Sequence, residues 1–150
     1  MTLSLFLHVL SVVVWVGGMF FAYMALRPVA AGVLEPPLRL ALWAGVFDKF
    51  FPWVWASVAL ILLSGLHMLM LFGGASAPLY ALAMLALGVV MMLIFGHVFF
   101  SPYRKLKRAV AAQDWKSGGA ALGQIRMLIG INLSIGLFII AVVYLGRALA

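Results

Sequence analysis

The chain has 150 residues, 67% of them hydrophobic and 9% charged, where soluble domains average ~45–50% apolar and ~25% charged residues. Water is therefore not its main solvent, and the absence of cysteine excludes disulfides, thiolate zinc sites, iron–sulfur clusters and thiol nucleophiles, leaving His, Met, carboxylate or backbone oxygen for any metal. The net charge of +7 does not point to nucleic acid, because the basic residues gather beside the apolar runs, where a cytoplasmic membrane face places them.

In chain order, the first apolar run, 3–26, is long enough to cross the bilayer as a helix. It lacks a basic leader and carries His8 within its apolar stretch, so it reads as a retained span rather than a signal peptide. Pro28 is expected to stop it. After Pro36-Pro37, the pattern Leu38, Leu40, Leu42, Trp43, Val46, Phe47 has helical spacing and mixed polarity. This fits a short helix in the interface plane or a helical lead-in to the second span, 50–72.

Gly73-Gly74-Ala75-Ser76-Ala77-Pro78 makes a tight hairpin into the third span, 79–100, which Pro102 should end. The fourth span is 127–145. The expected fold is an all-α integral membrane protein, a single domain over 1–150 forming an antiparallel bundle of four transmembrane helices. Nine of the ten basic residues fall in segments 27–49 and 101–126, which the positive-inside rule assigns to the cytoplasm of a bacterial inner membrane. Both termini then face the outer, periplasmic side.

Ionisable groups inside a membrane are costly, so each is a functional candidate. No Asp or Glu lies within a span, which argues against a proton-coupled exporter. At 1.5 Å per residue, His8 and His67 each lie about 9 Å outward of their span centres and His97 about 12 Å inward. The steps His8, Ser11, Trp15, Gly18, Met19, Ala22 define one face of span one, expected to look into the bundle. Ser57, Ile61, Ser64, His67, Met68 form a similar stripe on span two, and Tyr80, Met84, Gly88, Met91 on span three.

If these faces converge, His8, His67, Met68 and Met84 share the outer half of the core, an imidazole and thioether set suited to Cu(I). Two imidazoles at one depth, His8 and His67, also suit axial ligation of a b-type haem, with His97, at a different depth, as the alternative partner of His8 in a haem reading. A second polar group, Asp48, His97, Arg126 and Asn132, is expected near the cytoplasmic boundary, with Arg126 available to pair with Asp48. Gly17-Gly18 and Gly136 read as close-packing positions. Phosphate-binding glycine loops, H-E-x-x-H, paired catalytic carboxylates and a Ser/His/Asp set within one span are all absent.

The run Leu7-His8, then Trp15-Val16-Gly17-Gly18-Met19-Phe20, closed by Arg27-Pro28, resembles the opening helix of CopD-type copper-resistance membrane proteins. Phe50-Phe51-Pro52-Trp53 leading to Ser64-Gly65, Met91-Met92 through His97 to Pro102, and Ile125-Arg126 through Asn132-Leu133 to Gly136 look like later parts of the same domain. The resemblance implies an inner-membrane four-helix domain linked to copper uptake or resistance. A more distant similarity, to the HemJ type of protoporphyrinogen oxidase, rests on the Leu-His pair and the downstream Trp-x-Gly. By it, His8 and His97 are the carried-over candidates. Several members of these families have a histidine at the start of the third helix, where this chain has Leu79-Tyr80.

Three readings therefore stand at the level of sequence: a non-enzymatic copper-handling protein using His8, His67 and Met84 or Met68; a haem b redox protein or oxidase; and a cofactor-free partner subunit. The catalytic residues of any enzyme are unknown. Besides the lipid bilayer and a copper ion or haem, a homodimer is the partner to test, because a four-helix core is narrow for a conducting path.

Overall fold

The computed structural model describes residues 1–149, and its element order is all helical. Helix α1 (Thr2–Phe21) passes through a π-helical turn (Ala22–Leu26) into α2 (Arg27–Val33). Helix α3 (Pro36–Leu71) is followed by a 3₁₀ turn at Gly74–Ser76 and by α4 (Leu79–Phe100). Helices α5 (Pro102–Ala111) and α6 (Trp115–Leu149) complete the chain. Four stretches, Thr2–Val33, Pro36–Leu71, Leu79–Ala111 and Trp115–Leu149, are long and apolar enough to cross a membrane.

These stretches hold 32 to 36 residues, about 48–54 Å at helical rise, where ~30 Å of hydrocarbon needs only about 20 residues. The surplus lies mainly in segments 27–49 and 101–126, read from the sequence as polar connections and found to be largely helical. The lead-in 36–49 continues without a break into the second span, and Pro52 is accommodated inside that helix.

Pro28 does not end the first helix. Proline offers no amide to the carbonyl four residues back, at Met24, and the wider π turn over Ala22–Leu26 absorbs the missing bond, with the Arg27 amide reaching the Ala22 carbonyl. The helix ends instead at Leu34, whose extended backbone, like that of Glu35, leads into Pro36 at the start of α3. Pro102 acts as expected: α4 stops at Phe100, and Pro102 opens α5. At the hairpin, Gly73 has φ +97°, a left-handed conformation that glycine adopts without strain.

The main packing seams are α1 with α3, α4 with α6, and α5 with α6. On α1 the face predicted to point inward is the buried one: Ser11, Trp15, Met19 and Ala22 are buried, and so are Ser57, Ser64 and Met68 of α3. A chain of aromatic contacts fills the basic half of the core. Phe47 stacks on Phe51 with centroids 4.9 Å apart, and Phe51 meets Tyr103 at 4.8 Å and Phe95 at 5.3 Å. Helix α5 is amphipathic, burying Tyr103, Leu106 and Ala109 while Arg104, Lys105, Lys107 and Arg108 are exposed. Asp114 precedes α6 and accepts the Ser117 amide at 3.2 Å, an N-terminal cap whose hydrogen bonds from Ser117 hold its carboxyl below the usual carboxylate range.

Candidate functional site

Helices α1 and α3 run antiparallel, which sets the early turns of one beside the late turns of the other. Two cross-helix hydrogen bonds result. His8 Nδ1 is 3.0 Å from Ser64 Oγ, and one turn nearer the helix ends Ser4 Oγ is 2.8 Å from His67 Nδ1. Both imidazoles therefore lie on one seam, each anchored by a serine of the opposite helix. His8 is half-buried and its ring sits over Gly65, where a side-chain carbon would come within 3.3 Å of His8 Cε1. His67 is exposed at the rim of the bundle, whereas the sequence placed it in the interior. The buried stripe of α3 continues through Ser57, Ser64 and Met68, and His67 stands on the flank of that stripe rather than in it.

The proton arrangement at His8 follows from its partner. The Ser64 hydroxyl donates to the Leu60 carbonyl of its own helix, with the Ile61 carbonyl at 3.3 Å, so its single proton is engaged. With its proton so directed, Ser64 Oγ is placed to accept from the Nδ1–H tautomer of His8, whose lone pair is on Nε2. This is the tautomer that an Nε2 metal ligand requires, with the other nitrogen held by a hydroxyl.

Met68 is buried beside His67 in the chain, and Met84 is half-buried on α4, whose principal partner is α6. Tyr80 packs against Gly146 of α6. Among the described residues, no three His, Cys, Asp or Glu side chains gather closely enough to hold a metal. The donors on the α1–α3 seam are thus the two imidazoles, with the Met68 thioether next to His67 in the chain and Met84 on a different helix. His97 is exposed near the other end of α4, about 20 Å along the bundle axis from His8.

The remaining polar residues of the basic half take separate partners. Asp48 accepts a hydrogen bond from the Tyr103 hydroxyl and pairs with Lys107 at 3.1 Å, tying α3 to α5. Arg126, the partner suggested by the sequence, instead lines a cavity with Arg27 and Arg39. Asn132 is buried and its Nδ2 donates to the Met91 carbonyl of α4 at 3.2 Å, while its Oδ1 has no hydrogen-bond partner among the described residues. Gly18 and Gly136 are close-packing positions, against Phe50 and against Val16 and Met91 respectively. Gly17 is exposed with open space around it, contrary to its reading as a packing residue.

Ser4 escaped the sequence reading, although its place one helical turn before His8 on the same face is a signal that periodicity carries. The arginine cavity escaped as well, because the positive-inside rule already accounted for each of its arginines singly.

Comparison with curated proteins and with solved structures returns no match. The family profile described as copper resistance protein D (CopD) matches residues 44–145, which takes in most of α3, all of α4 and α5 and nearly all of α6. With four membrane-spanning helices and this match over more than half of its length, the chain is an integral inner-membrane protein that belongs to the CopD family.

Proposed function

We propose that the protein handles copper as its cargo, binding or passing the ion at the α1–α3 seam through Nε2 of His8 and the ring of His67, with Met68 of α3, or Met84 reached across from α4, as a thioether donor. The observation that carries this reading is the 3.0 Å contact of His8 Nδ1 with Ser64 Oγ, whose hydroxyl is directed to the Leu60 carbonyl, an arrangement that suits the tautomer with its lone pair on Nε2. The family match supplies the copper link, and the soft donor set agrees with it. In this reading the basic end, with 27–49 and 101–126, faces the cytoplasm, and the histidine seam opens on the outer side, where ions arrive or leave.

Elemental analysis and an absorption spectrum of the protein as isolated from copper-supplied cells test the proposal. Copper at about one ion per chain, lowered by His8→Ala and by His67→Ala, is the expected result. A Soret band with a bis-histidine visible spectrum would replace copper by haem b.

A further inference from the structure

A cavity of about 270 Å³ opens at the basic end of the bundle between the α1–α2 junction, the first turns of α3 and the first turns of α6. Three guanidinium groups line it, Arg27, Arg39 and Arg126, each from a different one of these elements, together with Tyr23, Trp43 and Trp115. No carboxylate is in the lining. Asp48 is engaged with Lys107 and Tyr103, Asp114 caps α6, and Glu35, adjacent in sequence to the lining residue Pro36, makes no ion pair among the described residues.

Two of the arginines are positioned by neutral groups. Arg27 donates through Nε to the Tyr23 carbonyl at 3.1 Å and lies over the Tyr23 ring, 4.3 Å from its centroid. Arg39 donates one bond to the Ala31 carbonyl at 3.5 Å. A guanidinium has five N–H donors, so both retain most of theirs, and Arg126 makes no side-chain hydrogen bond among the described residues. Three like charges around one cavity repel one another unless an anion is shared between them. The cavity lies among the basic segments 27–49 and 101–126, whose cations concentrate at headgroup level. Its volume lies just below the ~300–1,000 Å³ of pockets for drug-sized ligands, which suits a headgroup and is small for a macrocycle.

We propose that this cavity binds a phosphate-bearing anion, and that in the membrane the occupant is the headgroup of an acidic phospholipid from the leaflet on the basic side. Basic pockets between membrane helices on the cytoplasmic side are suited to such headgroups. Trp43 and Trp115 give the cavity apolar walls, and Gly119 and Gly123, without side chains, leave one wall open. The proposal is independent of the copper reading, since no histidine lines the cavity.

Native mass spectrometry of the full chain, released from detergent and titrated separately with phosphatidylglycerol, phosphatidylcholine and inorganic phosphate, tests it. One phosphatidylglycerol should remain bound per chain, at least about 10-fold more tightly than phosphatidylcholine. The double variant Arg39→Gln/Arg126→Gln should weaken that binding about 30-fold, on the scale of two interfacial charges. Arg104→Gln/Lys105→Gln, which removes the same charge from the exposed face of α5, should leave it unchanged. Equal weakening in both variants, or a wild-type chain that does not prefer the acidic lipid, would overturn the site. Saturable inorganic phosphate binding without lipid preference would overturn the lipid as its occupant. The lipid preference is read on the wild-type chain and so survives any failure of a variant to fold.

Discussion

His8 Nδ1 and Ser64 Oγ lie 3.0 Å apart across the α1–α3 seam, and with the serine proton directed to the Leu60 carbonyl, the Nδ1–H tautomer of the imidazole is the one that fits this pair. Removing the hydroxyl therefore frees the ring to rotate and to exchange tautomers without touching its coordinating nitrogen. Ser64→Ala should weaken Cu(I) binding about 10–100-fold, the range found when an outer partner of a metal-bound histidine is removed. Competition against a chromogenic Cu(I) chelator measures this. Unchanged affinity would separate the serine from any role in metal binding.

Asp48 joins α3 to α5 through Lys107 and Tyr103, not through Arg126. A double-mutant cycle on thermal unfolding should give Asp48 and Lys107 a coupling of about 0.2–1 kcal/mol, since both side chains are about half exposed. The cycle between Asp48 and Arg126 should give a coupling near zero. A larger coupling to Arg126 would show that the basic half packs differently.

Gly136 and Gly17 respond oppositely to added bulk. A carbon at Gly136 would meet Val16 at 3.1 Å and Met91 at 3.2 Å, so that α6 approaches both α1 and α4 there, while Gly17 has nothing within 4 Å. Gly136→Leu should cost about 1–3 kcal/mol through overpacking, and Gly17→Leu less than about 0.5 kcal/mol. Unfolding in detergent, followed by circular dichroism, distinguishes the two.

Asn132 holds α6 to α4 through one interhelical hydrogen bond and keeps a buried oxygen without a partner. Asn132→Leu removes the bond and the unpaired acceptor together, so the net change should stay below about 1 kcal/mol. Asn132→Asp loses the donor and sets a carboxylate against the Met91 carbonyl. It should destabilise by about 2.5–3.5 kcal/mol at neutral pH and recover as pH falls and the carboxyl protonates. Equal stability of the two variants would contradict the burial of this site.

The four spans, the Gly73 hairpin and the inward stripe of Ser11, Trp15, Met19 and Ala22 were legible because length, glycine chemistry and helical periodicity are local signals. The pairing of His8 with Ser64 was partly legible, since both fell on stripes assigned to the outer half. What the stripes could not convey is which of the adjacent His67 and Met68 turns inward: Met68 continues the buried stripe of Ser57 and Ser64, and His67 stands exposed on its flank. Pro28 misled because the local rule for proline does not anticipate a π turn that absorbs the missing hydrogen bond. Charge dominates segment 101–126 and hides its helical character, although Tyr103, Leu106 and Ala109 already repeat at helical spacing. The joining of Arg27, Arg39 and Arg126 depends on how three separate helix ends meet, which no local pattern encodes.

The copper reading depends on both imidazoles of the α1–α3 seam serving one ion, and Cu(I) titration of the purified full chain tests it most directly. The wild-type chain should bind about one equivalent, and His8→Ala/His67→Ala should bind none at the same concentrations while keeping the wild-type helical circular dichroism. A wild-type chain that binds no Cu(I), or a double variant that still binds one equivalent, would contradict the account.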